Sequence, residues 1–379
     1  MDTARLQPRQ EVITDERGML DLPFLILTIL LVSIGLVMMF SASYARAYAK
    51  TGNSAYYFTR QAIFAVLGIA AMFVISRMNY QLWRMVSFPM LAVSIVLLIA
   101  VLLFGQDGGG ATRWFTIAGI NFQPSEIAKL AVILSFATLI SGYREKMETF
   151  RYGVLPFACI LLAIVALLAL EPHLSCIIII CGVGGAMMFM GGTRLRWFAV
   201  AIAAAGVFLL VYLNFMGYAS DRITAWRDPF ADATDTSYQI VQSLYAIGSG
   251  GLWGLGLGRG RQKYLYLPEE HNDYIFAVTC EELGLVGACL IVLLFVLLIL
   301  RGYWIALHAR DRFGALIVAG ITTLLALQVF FNIGVVTNFL PSTGISLPFF
   351  SYGGTALLMQ LAEMGIVLNV SRYNRSTLI

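Results

Sequence analysis

Residues 273–300 read DYIFAVTCEELGLVGACLIVLLFVLLIL. Beyond Tyr274 the run is apolar for longer than the ~20 helical residues needed to cross about 30 Å of hydrocarbon. Only Glu281 and Glu282 interrupt it, about 12–14 Å deeper than Asp273 at the helical rise. Just before it, in LPEEHND, stand Glu269, Glu270 and Asp273. The chain therefore gathers carboxylates where water gives way to lipid.

The rest of the sequence repeats the apolar pattern. Of 379 residues, 59% are hydrophobic and 12% charged, with a mean hydropathy of +0.82; soluble domains carry about a quarter charged residues. This composition excludes a soluble globular protein, and the small net charge of +4 gives no reason to expect a nucleic-acid partner. Spans are expected near 22–42, 61–76, 85–104, 124–141, 153–170, 174–191, 196–216, 273–300, 313–335 and 346–370. The fold class is thus an all-α polytopic membrane protein of ten transmembrane helices. Residues 1–20 and 373–379 are expected as cytoplasmic tails around one membrane domain, 21–372, with a large extracytoplasmic loop, 217–272, between helices 7 and 8. No small-residue cleavage site follows the first span, which should stay as an anchor.

Orientation follows the basic residues. With the N-terminus inside, Arg77, Arg84, Arg144, Lys146, Arg194, Arg196, Arg301, Arg310 and Arg312 fall on inner segments, against Arg46, Lys50, Arg60 and Arg113 on the short outer ones. Both termini are expected to be cytoplasmic. The cysteines all lie in apolar runs without a CxxC pair, and His173, His271 and His308 are scattered, so neither a disulfide nor a metal cluster is expected.

Charges inside spans are costly and pair or line wet cavities. Glu126 and Lys129 share one helix face, as an internal ion pair or as a cavity wall. Gln123-Pro124-Ser125 before them reads as a helix start, with Gln123 or Ser125 capping. Upstream, Gly108 to Trp114 reads as a flexible outer loop; Trp114 suits an interface anchor and Arg113 a phosphate. In 217–272, Tyr238–Ile247 places Gln239, Gln242, Ser243 and Ala246 on one face, as in a helix lying on the membrane surface. The glycine-rich run 248–260 lacks the G-x-G-x-x-G spacing. With Arg259, Arg261 and Lys263 it suits an anionic lipid headgroup, or else close packing. Asp273 reads as a helix cap or as a reactive carboxylate. Leu340 to Thr355 is an irregular, Pro- and Gly-rich entry to the last span, tolerated at membrane depth only where shielded or facing a cavity.

Three groups of residues together carry a resemblance. They are Gly110-Ala111-Thr112-Arg113-Trp114 with Gln123-Pro124-Ser125-Glu126 and Lys129; Leu267-Pro268-Glu269 to Asp273-Tyr274-Ile275-Phe276-Ala277 with Glu281-Glu282-Leu283-Gly284; and Pro341 to Gly354. In order and spacing, from about residue 20 to 375, they resemble the SEDS family (FtsW/RodA/SpoVE), the bacterial shape, elongation, division and sporulation proteins. Asn332 to Thr337 and Leu368 to Tyr373 lie nearer its division and sporulation branch.

The resemblance implies a ten-helix peptidoglycan glycosyltransferase in the bacterial plasma membrane, with an extracytoplasmic catalytic face. Such an enzyme polymerises lipid II, releases undecaprenyl diphosphate, and works with a class B penicillin-binding protein and other divisome, elongasome or sporulation membrane proteins. The family's essential acid falls on Asp273, its buried polar pair on Glu126 and Lys129, and its outer-loop arginine on Arg113. Arg227 and Arg259 join Arg113 by sidedness as cations for the leaving pyrophosphate, and Glu269 and Ser351 complete the expected substrate-binding set. No cofactor is implied with certainty; a divalent cation, Mg or Mn, on the leaving group stays open. His173 departs from the family, which commonly has Asp there. A lipid II flippase and a non-catalytic scaffold for a penicillin-binding protein are the alternatives.

Overall fold

The computed structural model describes residues 18–107, 112–117, 120–215, 226–231 and 237–373. Residues 1–17 and 374–379 of the tails, Gly108–Ala111, and 216–225 and 232–236 of the expected large loop lie outside the described residues.

The helices are α1 Leu22–Thr51, α2 Tyr56–Ile75, α3 Leu82–Phe104, α4 Pro124–Tyr143, the single turn α5 Phe150–Gly153, α6 Leu155–Leu170, α7 Leu174–Met190, α8 Leu195–Phe215, α9 Tyr238–Gly250, α10 Ile275–Leu307, α11 Arg312–Val336 and α12 Gly354–Ser371. Among the described residues, eight helices are long and apolar enough to cross a membrane, and Leu174–Met190 and Leu195–Ala204 are shorter apolar helices. The chain is a multi-pass membrane protein.

Burial pattern sorts the helices. On α3 a single stripe, Ser87, Leu91, Ser94, Leu98 and Val101, is buried, while Val93, Val96 and Leu103 face outward. That is the one-sided burial of a peripheral helix. Helices α4 and α11 are buried nearly all round and form the centre. Lipid supplies no hydrophobic drive between helices, so small residues set how closely they approach. A Cβ on Gly68 of α2 would lie 2.6 Å from Leu361, and one on Gly365 of α12 2.8 Å from the Met72 carbonyl. These two glycines hold α2 against α12.

Helix α1 begins at Asp21, whose side chain accepts from the Phe24 amide (3.0 Å) and pairs with Arg301 (2.7 Å). The Gly18 amide donates to the Arg372 carbonyl (2.8 Å). The described chain ends thus meet at one end of the bundle; the long tail of α1, beyond the expected residue 42, reaches the other.

Four regions differ from the sequence expectation. Part of the supposed flexible loop is a small antiparallel sheet, β1 Gln106–Asp107, β2 Thr112–Ile117 and β3 Ile120–Phe122, with Phe115 opposite Phe122 and Thr116 opposite Asn121. Gln123 occupies the cap position of α4 but makes no side-chain cap bond. Residues 346–353 are not helical, and the last helix starts only at Gly354, after Pro348 and Gly353.

Fourth, α10 breaks at Gly284 (φ 67°, ψ −173°), and the glycine-rich run fills the break. The amides of Leu255 and Gly256 donate to the Glu281 and Glu282 carbonyls (3.0 Å each), and the Leu285 amide to the Gly251 carbonyl (2.9 Å). A Cβ on Gly254 would stand 2.2 Å from the Glu282 carbonyl, so backbone lies directly on backbone. These glycines serve packing, which re-pairs the polar backbone freed by the break. The Glu281 carboxylate accepts from the Arg261 amide (2.8 Å). Glu282 pairs with Lys263 (2.5 Å), both side chains being fully buried, and with the Ser41 hydroxyl (2.7 Å). Lys263, expected with Arg259 and Arg261 at a lipid headgroup, is therefore engaged inside the protein.

Candidate active site

At the end of the bundle opposite Gly18 and Arg372 lies a cleft of about 1140 Å³. Its walls come from the far end of α1 (Arg46, Lys50), the start of α2 (Tyr57, Arg60), β2 (Arg113, Trp114), the first turns of α4 (Glu126, Lys129), the α6–α7 turn (His173) and the stretches 269–273 and 344–357. Carboxylates and cations therefore face one space.

Asp273 reaches it through backbone clamping. The Asn332 side-chain amide donates to the Asp273 carbonyl (2.8 Å) and the Ile345 carbonyl (2.7 Å). The Ser351 hydroxyl donates to the Asn272 carbonyl (2.8 Å) and accepts from the Leu347 amide (2.7 Å). The Tyr352 amide donates to the His271 carbonyl (2.8 Å). Residues 344–352 are thus laced to 271–273. Asp273 Oδ2 lies so near Gly344 that a Cβ there would be 3.2 Å away, and Gly344 has φ +68°; close approach and left-handed backbone both call for glycine. Helix α10 starts only at Ile275, and the cap position is held by Tyr274, whose side chain makes no cap bond.

The other expected residues divide. Lys129 and Glu126 are bonded at 2.8 Å, so ion pair and cavity wall are both realised, since both also line the cleft. Glu363 of α12, not singled out in the sequence, lies within electrostatic reach of both. Arg113 donates to the carbonyls of Glu171 (3.3 Å) and Pro172, which leaves its guanidinium at the cleft wall. Glu269 lines the cleft and is bonded through its carboxylate to the Asn272 amide. Ser351 lines it too, but its hydroxyl is committed to the lacing just described. Arg227 and Arg259 are exposed and are not among the lining residues; of the three expected outer cations, the structure brings only Arg113 to the cleft.

Several cleft residues were missed. Arg46 forms a two-pronged pair with buried Glu270 (2.7 and 2.6 Å). Burial pushes the Glu270 carboxyl up, but the neighbouring His271 and the Arg46 pair outweigh it and hold the group below the usual range. Tyr57 packs against His271 (ring centroids 4.8 Å) and Tyr352 (5.0 Å), giving one wall an aromatic face. A basic residue near the end of the first span was the available signal for Arg46; nothing local marked the aromatic trio.

A double-mutant comparison tests the Glu126–Lys129 pair. Replacing either alone is expected to lower the melting temperature in detergent more than half as much as replacing both, with a coupling of about 0.5–3 kcal/mol. Strictly additive losses would show that the two act separately.

The turn at 171–173 carries the largest environmental effects outside the spans. Burial pushes the Glu171 carboxyl up to about 8, with Arg113 pulling the other way. Burial, then Arg113 and Lys129, push His173 down to about 3. A carboxyl that holds its proton more tightly when folded costs stability as pH rises from its ordinary 4.5 through about 8. Glu171→Gln should therefore gain in melting temperature over the parent protein across that window and hold the gain above it. A gap that does not change with pH would contradict this.

An apolar helical bundle thus carries a charged, partly aromatic cleft at one end. Comparison with known proteins narrows the class. The family profile described as "Cell cycle protein", covering FtsW, RodA and SpoVE, matches residues 21–376. The chain is 41% identical over 359 residues to the probable peptidoglycan glycosyltransferase FtsW of Geobacter metallireducens, covering 94% of this chain and 96% of that one. It is 41% identical over 358 residues to the stage V sporulation protein E of Bacillus subtilis, covering 94% and 98%. Among solved structures it resembles a chain from a study of polymerization and crosslinking by a peptidoglycan synthase complex (TM-score 0.77, 27% identity, 93% and 98% covered). It also resembles the rod shape determining protein RodA of Thermus thermophilus (TM-score 0.70, 27% identity, 94% and 98% covered). The chain belongs to the FtsW/RodA/SpoVE family.

Proposed function

We propose that the chain is a peptidoglycan glycosyltransferase that polymerises lipid II in the bacterial plasma membrane. The observation that carries this reading is Asp273, whose backbone is clamped so that the residue lines a cleft that also presents Arg46, Lys50, Arg60, Arg113 and Lys129. The 4-hydroxyl of one sugar attacks the anomeric carbon of the next. Asp273 takes the hydroxyl proton as the new C–O bond forms, a role that partial desolvation of a carboxylate favours. The bond from the anomeric carbon to phosphate breaks, and its electron pair leaves with undecaprenyl diphosphate. An α-linked donor gives a β-linked product in one inverting displacement, without a covalent enzyme intermediate.

The leaving pyrophosphate needs cations, and Arg113 and Lys129 are suited by position. Among the described residues no three His, Cys, Asp or Glu side chains are grouped to hold a metal ion; a divalent cation, if used, would arrive on the pyrophosphate. In this role the chain crosses the membrane ten times, α7 and α8 included, with both termini cytoplasmic and the cleft extracytoplasmic. Its partners are the lipid-linked glycan, a class B penicillin-binding protein and the membrane proteins of division, elongation or sporulation.

The flippase is the second reading, because it would share the polar cleft and the lipid substrate. Against it, the cleft residues gather at one end of the bundle. In a cysteine-free background, a charged thiol reagent applied from outside should label cysteines placed at Arg113 or Asn272 and leave one at Leu294 unlabelled from either side. Labelling at Leu294 from inside that changes with substrate would mean alternating access and would replace the polymerase by the flippase. A pure scaffold would tolerate loss of Asp273.

A further inference from the structure

Within the cleft, His173 is set apart by its surroundings. Its side chain lines the cleft with 9% of its surface exposed, and Nδ1 is buried without a hydrogen-bond partner among the described residues. Its backbone is fixed: the His173 amide donates to the Leu168 carbonyl (2.9 Å), and the His173 carbonyl accepts from the Ile177 amide (3.3 Å). Arg113 grips the same turn through two carbonyls, and Ser175 donates to the Thr343 carbonyl beside it. The turn that carries the imidazole is therefore held in place, and an unmet buried nitrogen calls for an explanation.

We propose that His173 is a specificity-determining residue of the cleft, its imidazole bonding an uncharged hydroxyl or amide of the substrate's sugar portion. The inference rests on the glycosyltransferase reading and names a contact within it. Burial and the cations Arg113 and Lys129 keep the ring neutral, with a proton affinity lowered to about 3. A neutral imidazole offers one donor and one acceptor and no charge, which suits a sugar hydroxyl or N-acetyl amide. Arg113 at the cleft wall then serves the phosphates, while the charge of Lys129 is shared with Glu126. An aspartate at this place would stand as an anion beside Arg113 and Lys129 and take up their charge; histidine leaves it available. The chemistry divides by group, with cations to phosphate and imidazole to sugar.

The test uses two probes on the purified full chain in nanodiscs: lipid II, and undecaprenyl diphosphate, which carries the phosphates without the sugars. His173→Phe should weaken lipid II binding roughly tenfold, the loss of one neutral hydrogen bond, and leave binding of undecaprenyl diphosphate unchanged. His173→Asn, which restores a neutral polar group, should recover most of the lipid II affinity. Because the unmet nitrogen is removed, His173→Phe should melt no lower than the parent protein. Equal weakening for both probes, no weakening for either, or a fall in melting temperature that tracks the loss of affinity would overturn the proposal. If the parent protein binds lipid II but makes no glycan, the polymerase reading fails while the sugar-dependent loss still judges His173. If it does not bind lipid II at all, both fall.

Discussion

Asp273→Asn abolishes glycan synthesis, with a loss of at least about a hundredfold, the lower bound for a positioned general base. Asparagine keeps the size of the side chain and its fit against Gly344. It also leaves intact the backbone clamps from Asn332 and Ser351, which hold carbonyls and not the carboxylate. The change therefore removes basicity while sparing those clamps. The melting temperature should stay close to that of the parent protein, and lipid II should still bind. Near-normal glycan from purified Asp273→Asn would remove the carboxylate from its role as base.

The second large effect falls on stability. Lys263 and Glu282 are paired at 2.5 Å with neither side chain exposed, and the Ser41 hydroxyl bonds to both. Together they join α1, the segment just after the glycine-rich run, and α10 next to its break at Gly284. Lys263→Met keeps an unbranched stem but leaves the Glu282 charge buried and unpaired, at a cost of about 3–5 kcal/mol. Replacing both partners by apolar groups of similar shape avoids that unpaired charge and should recover most of the loss. The measurement is thermal unfolding in detergent of Lys263→Met, Glu282→Leu and the double variant. A double variant less stable than either single one would show that the pair is not the unit holding the break.

Much of this was legible in the sequence for a physical reason. Lipid demands about 20 apolar residues per crossing, so the helices from Leu22, Pro124 and Arg312 begin close to where the apolar runs do. Glu126 and Lys129 stood out because charges within spans are too costly to be incidental, and the family resemblance is what gathered them with Asp273 and Arg113 as one expected site. What could not be read depends on pairing across sequence distance. The break at Gly284 is stabilised by amides some thirty residues earlier, and the apolar run gives no sign of it. Lys263 resembled the exposed Arg259 and Arg261 until Glu282 was found opposite it. Arg227 and Arg259 were chosen by sidedness alone, and sidedness does not say which outer residues face a common space. Ser351 lines the cleft as expected, yet its hydroxyl is occupied in lacing two backbone stretches together, which no local pattern reveals.

The central claim is that this cleft joins sugars. Its most direct test is to incubate the purified chain with labelled lipid II, with and without a cognate class B penicillin-binding protein, and to resolve the products by length. A ladder of glycan strands that lengthens with time as undecaprenyl diphosphate is released is the expected result. Lipid II recovered unchanged under conditions where it is bound, with and without the partner, would contradict it.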